Sequence, residues 1–163
     1  MNSMRSLKSR RMFLAQAISC LPVVAFAMAA DDKAKPAEVA TESYQVRLIW
    51  ASNDEASPDP THKKLDSELT AFLKKSFKWS SYYEVNSKVV TVPVNKMQEI
   101  RLSEACTVKL KNLGKSWLEA DLFGKGKQVS KTKSELKKWV ILAGPAENET
   151  GWFVVIRKAP KDK

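Results

Sequence analysis

The sequence predicts a mainly β domain, an antiparallel β-sandwich or open barrel of about eight strands with one short α-helix. Three observations point there. Apolar and polar residues alternate with a period of two through much of the chain after Ser43, turn-forming residues separate the alternating runs, and one stretch alone departs to helical spacing.

In chain order, a leader comes first. Arg5, Lys8, Arg10 and Arg11 precede a short apolar run, no acidic residue occurs, and Ala27-Met28-Ala29 supplies a small-residue cleavage step. Residues 1–29 are therefore read as a signal peptide cut after Ala29, and the remainder as periplasmic or secreted. Ser19 and Pro22 interrupt the apolar run, which falls short of the roughly 20 apolar residues a membrane-spanning helix needs, so no permanent span is expected. Ser9-Arg10-Arg11-Met12-Phe13-Leu14 resembles the twin-arginine export signal, with Arg10, Arg11, Phe13 and Leu14 at its motif positions. Ala15 departs from that pattern and leaves an ordinary secretory signal open. Cys20 lies inside the apolar run, where a lipidation cut is not expected.

Residues 30–43 contain the stretch DDKAKPAEVATES, with one β-branched aliphatic residue, no aromatic ring and mixed charge. Such a segment buries too little apolar surface to offset its ordering entropy, so it is read as a flexible linker. The folded domain is assigned to 44–158, and 159–163 to a disordered tail.

Within the domain, Tyr44, Val46, Leu48 and Trp50 alternate with Gln45 and Arg47. Val108 and Leu110 alternate with Lys109 and Lys111, and Leu118, Ala120 and Leu122 with Glu119 and Asp121. Each run reads as a strand with one buried face. The continuously apolar runs 139–143 and 152–156 predict strands covered on both faces, placed at a sheet centre. Weaker strands are expected at 82–85, 88–92, 98–102 and 128–132, with Pro93 at an edge or strand end. Turns fall at Asn112-Leu113-Gly114, Gly124-Lys125-Gly126 and Asn148-Glu149-Thr150-Gly151, giving an antiparallel meander in the C-terminal half. The helix lies between Asp66, its N-cap, and Ser76, with Leu69, Phe72 and Leu73 as the stripe packed on a sheet.

The chain carries a formal charge of +10, and the leader holds four of its 28 basic and none of its 18 acidic residues, so +6 remains after cleavage. Many lysines fall in the meander half, and the outward phase of Lys109 and Lys111 offers a positive sheet face, against the favoured reading that these lysines solubilise the wet face and protect sheet edges. The partners of such a face would be an envelope protein or another anionic surface. Nucleic acid is not expected, since the leader directs the protein outward and no recognition module occurs. Trp79, Tyr82 and Tyr83 form a second candidate surface. Adjacent strand positions point to opposite faces, so one of the two tyrosines points away from the core, where an accessible ring would stack on a sugar or anchor a partner; packing of this helix-to-strand corner against the core is the favoured reading.

Catalytic inventory is thin. His62 is the single histidine, expected to be solvated in the polar loop 52–64, and Cys106 is the single cysteine after cleavage, expected to be a small buried hydrophobe. One His and one Cys cannot make a zinc site of four N/S ligands, and Asp54, Glu55 and Asp59 match no calcium loop. No catalytic residue, metal or cofactor is assigned.

The segments VRLIWASND (46–54), FKWSSYYEVN (77–86), VKLKNLG (108–114), LFGKGK (122–127) and GWFVVIRK (151–158) together resemble an uncharacterised family of small exported bacterial β-rich proteins. Ala51-Ser52 departs from the Gly-Thr associated with the first block. The resemblance implies an exported β-domain and supplies no catalytic residue. The expected function is that of a non-catalytic protein-binding or assembly accessory factor of the cell envelope. A periplasmic glycan-binding module is the alternative, and a small hydrolase with an unrecognised site the second.

Overall fold

A computed structural model describes residues 40–144 and 149–160. The leader, its cleavage step, most of the linker and residues 161–163 lie outside them. Among the described residues, β1 (Thr41–Ser52) is followed by β2 (Lys63–Lys64), α1 (Ser67–Ser76), β3 (Ser81–Pro93), β4 (Met97–Arg101) and β5 (Cys106–Gly114). Then come β6 (Trp117–Gly124), β7 (Lys127–Glu135), β8 (Val140–Gly144) and β9 (Gly151–Lys158). They form two antiparallel sheets, ordered β2-β3-β1-β9-β8 and β4-β5-β6-β7, packed as an open sandwich rather than a closed barrel.

Two apolar layers result, one on each side of the first sheet. Tyr44, Val46 and Leu48 of β1 and Val154 and Ile156 of β9 face the second sheet, where they meet Val108, Leu110, Leu118 and Leu122. Ile49, Ala51, Phe153 and Val155 point the other way, onto Leu69 and Leu73 of α1 and onto Tyr82. This double coverage explains why β9 reads as continuously apolar: both phases of the strand are buried. Phe72 does not complete the helix stripe. It is 42% exposed and rests on the Trp139 ring at 5.0 Å.

Several boundaries differ from the sequence expectation. β1 starts at Thr41, inside the assigned linker, because Thr41–Ser43 pair with Thr91–Pro93 and the Ser43 and Thr91 hydroxyls bond at 2.8 Å. A partner strand far along the chain supplies order that local composition lacks. The two strands expected at 82–85 and 88–92 are one, β3. Asn86 and Ser87, which looked like a break, are held in place: Asn86 Nδ2 donates to the Leu102 carbonyl at 2.6 Å and its Oδ1 accepts from the Ser87 N–H at 2.8 Å.

The turn assigned to Asn112-Leu113-Gly114 lies further on, at Lys115-Ser116, where both residues take positive φ. Asn112 is instead buried inside β5, where its Nδ2 donates to the Val92 carbonyl at 2.9 Å and joins the two sheets. The Gly124–Gly126 turn stands as expected, with Lys125 and Gly126 both left-handed (φ 49° and 78°). Finally, β9 is interior but β8 is an edge strand. Its apolar run reflects cover from the second sheet on one face and from the Trp139–Phe72 corner on the other, not a central position.

A candidate ligand-binding cleft

The aromatic residues nominated from sequence are turned inward. Tyr82 and Tyr83 do point to opposite faces of β3, yet both are buried, at 4% and 7% exposure. Tyr82 joins the helix-side layer and donates its hydroxyl to the Leu73 carbonyl at 3.2 Å. Tyr83 lies beside Trp50, ring centroids 5.9 Å apart, under the 53–62 loop, and its hydroxyl donates to the Glu55 carbonyl at 2.7 Å. Both tyrosines follow the favoured reading of core packing, because a loop covers the second face, and the exposed-ring alternative is not met. Trp79 is half-buried, edge-on to Phe153 at 5.4 Å, with Nε1 donating to the Glu149 carbonyl at 2.7 Å.

Lys109 and Lys111 share the outer face of β5, where carboxylates on the neighbouring strands interleave with them. The strand register sets Glu99, Lys109, Asp121 and Lys131 side by side across β4–β7, and Lys111, Glu119 and Lys133 in the next row. Lys109 Nζ lies 3.6 Å from Glu99, and Lys131 Nζ bonds Glu119 at 2.8 Å and stands 3.5 Å from Asp121. Lys131 together with the neighbouring lysines holds the Glu119 carboxyl below its ordinary range. Opposite charges directly across a sheet attract, and their fields cancel at a distance.

His62 is not solvated. Its side chain is 10% exposed, its ring lies 6.3 Å from Trp50, and Nδ1 shares a 2.7 Å hydrogen bond with Ser57 Oγ. Asp59 Oδ2 stands 3.8 Å from Nε2, so a hydroxyl, an imidazole and a carboxylate converge. The set serves the loop's own turns. Ser57 Oγ also accepts from the Asp59 N–H at 3.3 Å, and Asp59 Oδ1 is taken by the N–H and hydroxyl of Thr61. The carboxylate lies beyond hydrogen-bond reach of the ring it would have to orient, and none of the three residues lines the cleft between the sheets.

A concavity lies elsewhere, at the open end of the sandwich, with a volume of about 480 Å³. Leu48 and Trp50 of β1 and Trp152 and Val154 of β9 form one wall. Leu122 of β6 and Val129 of β7 form the opposite one. Trp50 and Trp152 are direct cross-strand neighbours, which brings two indoles to the same end. Gly144 leaves the gap open: a Cβ built there would stand 3.9 Å from Leu122 Cδ2, on the facing sheet. Cys106 contributes its thiol to the lining, and burial pushes its pKa up to about 11, so it remains neutral and behaves as an apolar group. Ser103, Lys125 and Thr150 add polar character, and Lys125 is the single charged residue among the described lining.

Sequence reasoning missed this cleft. Trp50, Trp152 and Cys106 are more than forty positions apart, and only strand pairing and sheet packing bring them together. The local trace was the Gly124-Lys125-Gly126 turn together with Gly144 and Gly151, which mark strand ends around it. Among the described residues, no three His, Cys, Asp or Glu side chains gather to hold a metal ion, and no helix is long and apolar enough to cross a membrane. No family model, curated protein or solved structure matches this chain.

Proposed function

We propose that this protein is a non-catalytic binding domain of the cell envelope that holds an apolar group, supplied by another envelope component, in the cleft between its two sheets. The observation that carries this reading is the cleft itself. Its volume falls within the range of small-molecule sites, its walls are mainly apolar, and no acid–base pair lines it among the described residues. The envelope location rests on the leader, with its paired arginines and Ala-x-Ala end. The rings that a glycan platform would need at Trp79, Tyr82 and Tyr83 are engaged inside the domain, which favours the cleft over a sugar-stacking surface.

Titration of the protein with N-phenyl-1-naphthylamine, a neutral dye that brightens in apolar surroundings, tests the reading. Saturable binding is expected, and Gly144→Leu, which places a side chain in the gap, should remove it while circular dichroism stays unchanged. Dye binding that is absent, or equal in both proteins, would refute a role for the cleft. Fractionation should find the processed protein outside the cytoplasm; retention of full-length chain in the cytoplasm would refute the envelope assignment.

A further inference from the structure

One charged side chain, Lys125, lines the cleft among the described residues. Lys125 sits at the tip of the β6–β7 hairpin, where its N–H donates to the Ala105 carbonyl at 2.7 Å and ties the turn to the loop before β5. It forms no ion pair among the described residues, unlike Lys109, Lys131, Lys138 and Lys158. No carboxylate lines the cleft among the described residues, and Lys125 is exposed at its mouth. Behind it the walls are aliphatic and indole, continuous with the sandwich core through Leu48, Leu122 and Val154. A bound molecule therefore meets a cation and an apolar interior in one site.

Resting on the cleft as the binding element, we propose that its ligand is a single-chain anionic amphiphile: one aliphatic chain that lies between the Trp50–Trp152 wall and Leu122, ending in a carboxylate or similar anionic group held by Lys125. Charge complementarity selects the sign of the head, because an exposed ammonium at the mouth of an apolar cleft attracts an anion and repels a quaternary ammonium. Size selects one chain, since about 480 Å³ lies toward the lower end of ligand-cavity volumes.

Three twelve-carbon probes that differ only in the head decide the matter: dodecanoate, dodecanol and dodecyltrimethylammonium, each below its micelle concentration. Displacement of N-phenyl-1-naphthylamine and protection of Cys106 from iodoacetamide are both read, on the unaltered protein and on Lys125→Asn, which retains the left-handed tendency of the turn. Dodecanoate is expected to bind about tenfold tighter than dodecanol, and Lys125→Asn to abolish that difference without weakening dodecanol. Equal affinity of dodecanoate and dodecanol, or a preference for the ammonium, overturns the anionic-head assignment while the apolar cleft stands. If the dye itself does not bind, the cleft reading and the ligand assignment fall together.

Discussion

Arg47 Nη1 and Asp66 Oδ2 bond at 2.7 Å, while the other oxygen of the same carboxylate, Oδ1, accepts the Leu69 N–H at 2.9 Å. One side chain thus caps α1 and ties it to β1. Arg47 is 6% exposed and reaches Glu84 of β3 with its Nε, so three elements converge on one buried guanidinium. Burial raises the Asp66 pKa, but Arg47, the Leu69 N–H and the charge of Arg157 together outweigh it and hold the carboxyl below its usual range.

Substitutions at this junction should separate its parts. Arg47→Met strands Glu84 in a largely buried site and is expected to cost about 3 kcal/mol. Asp66→Ala loses cap and ion pair, about 2 kcal/mol, whereas Asp66→Asn keeps a capping oxygen and loses about 1 kcal/mol. Urea unfolding gives the order, and equal losses for the Ala and Asn variants would contradict the capping role.

Stability should decline in acid. Asp66 and Glu119 both have lowered pKa values, so their contributions are complete above their unfolded values, about 3.9 for Asp and 4.3 for Glu, and are lost as pH falls through the folded ones. Thermal midpoints from pH 7 downward should hold to the unfolded values and then drop. The Asp66→Asn, Glu119→Gln double variant should show a shallower drop; an unchanged acid limb would disprove the linkage.

Gly151 is a packing glycine. A Cβ there would stand 2.9 Å from two Trp79 ring carbons and 3.0 Å from the Phe153 ring. Gly151→Ala should therefore destabilise the domain by about 1–3 kcal/mol and shift tryptophan emission to the red as Trp79 is displaced. Restoration of stability by an added Trp79→Phe would identify the clash as the cause, and full stability of Gly151→Ala alone would count against it.

Cys106 should be a slow thiol. With its pKa pushed up to about 11 by burial, alkylation by iodoacetamide at pH 8 is expected to be at least about tenfold slower in the folded protein than in urea. The folded rate should still be climbing at pH 10. Rapid labelling at pH 7 would show the cleft lining to be open and polar.

Lys109→Gln with Lys111→Gln should lower the salt concentration for elution from a heparin column no more than Lys74→Gln with Lys75→Gln on the helix, because Glu99, Glu119 and Asp121 interleave with the lysines of the sheet face. Elution at clearly lower salt than the helix control would restore them as an anion-binding surface.

The helix was legible, apart from the exposure of Phe72, because its signals are local: an Asp at the N-cap, Leu69 and Leu73 at helical spacing, and Lys74 and Lys75 in the last turn. The β5–β6–β7 meander was legible for the same reason, since neighbouring strands and short turns leave a period-two trace within a few residues. The cover over Tyr83, the balance around Lys109 and the position of β8 were not. Each depends on a segment distant in sequence: the 53–62 loop over Tyr83, Glu99 and Asp121 on the flanking strands, and β9 as the one strand paired with β8 among the described residues.

Periodicity alone thus specified a mainly β chain with one helix, because strand and helix patterns follow from which side chains face water over a few consecutive residues. It could not say what lies above an outward residue or beside a strand end. The cleft arises because β1 and β9 pair Trp50 with Trp152 and the second sheet places Leu122 opposite Gly144. Contacts between residues so far apart are fixed by the packing of whole sheets, and a local pattern carries no record of them.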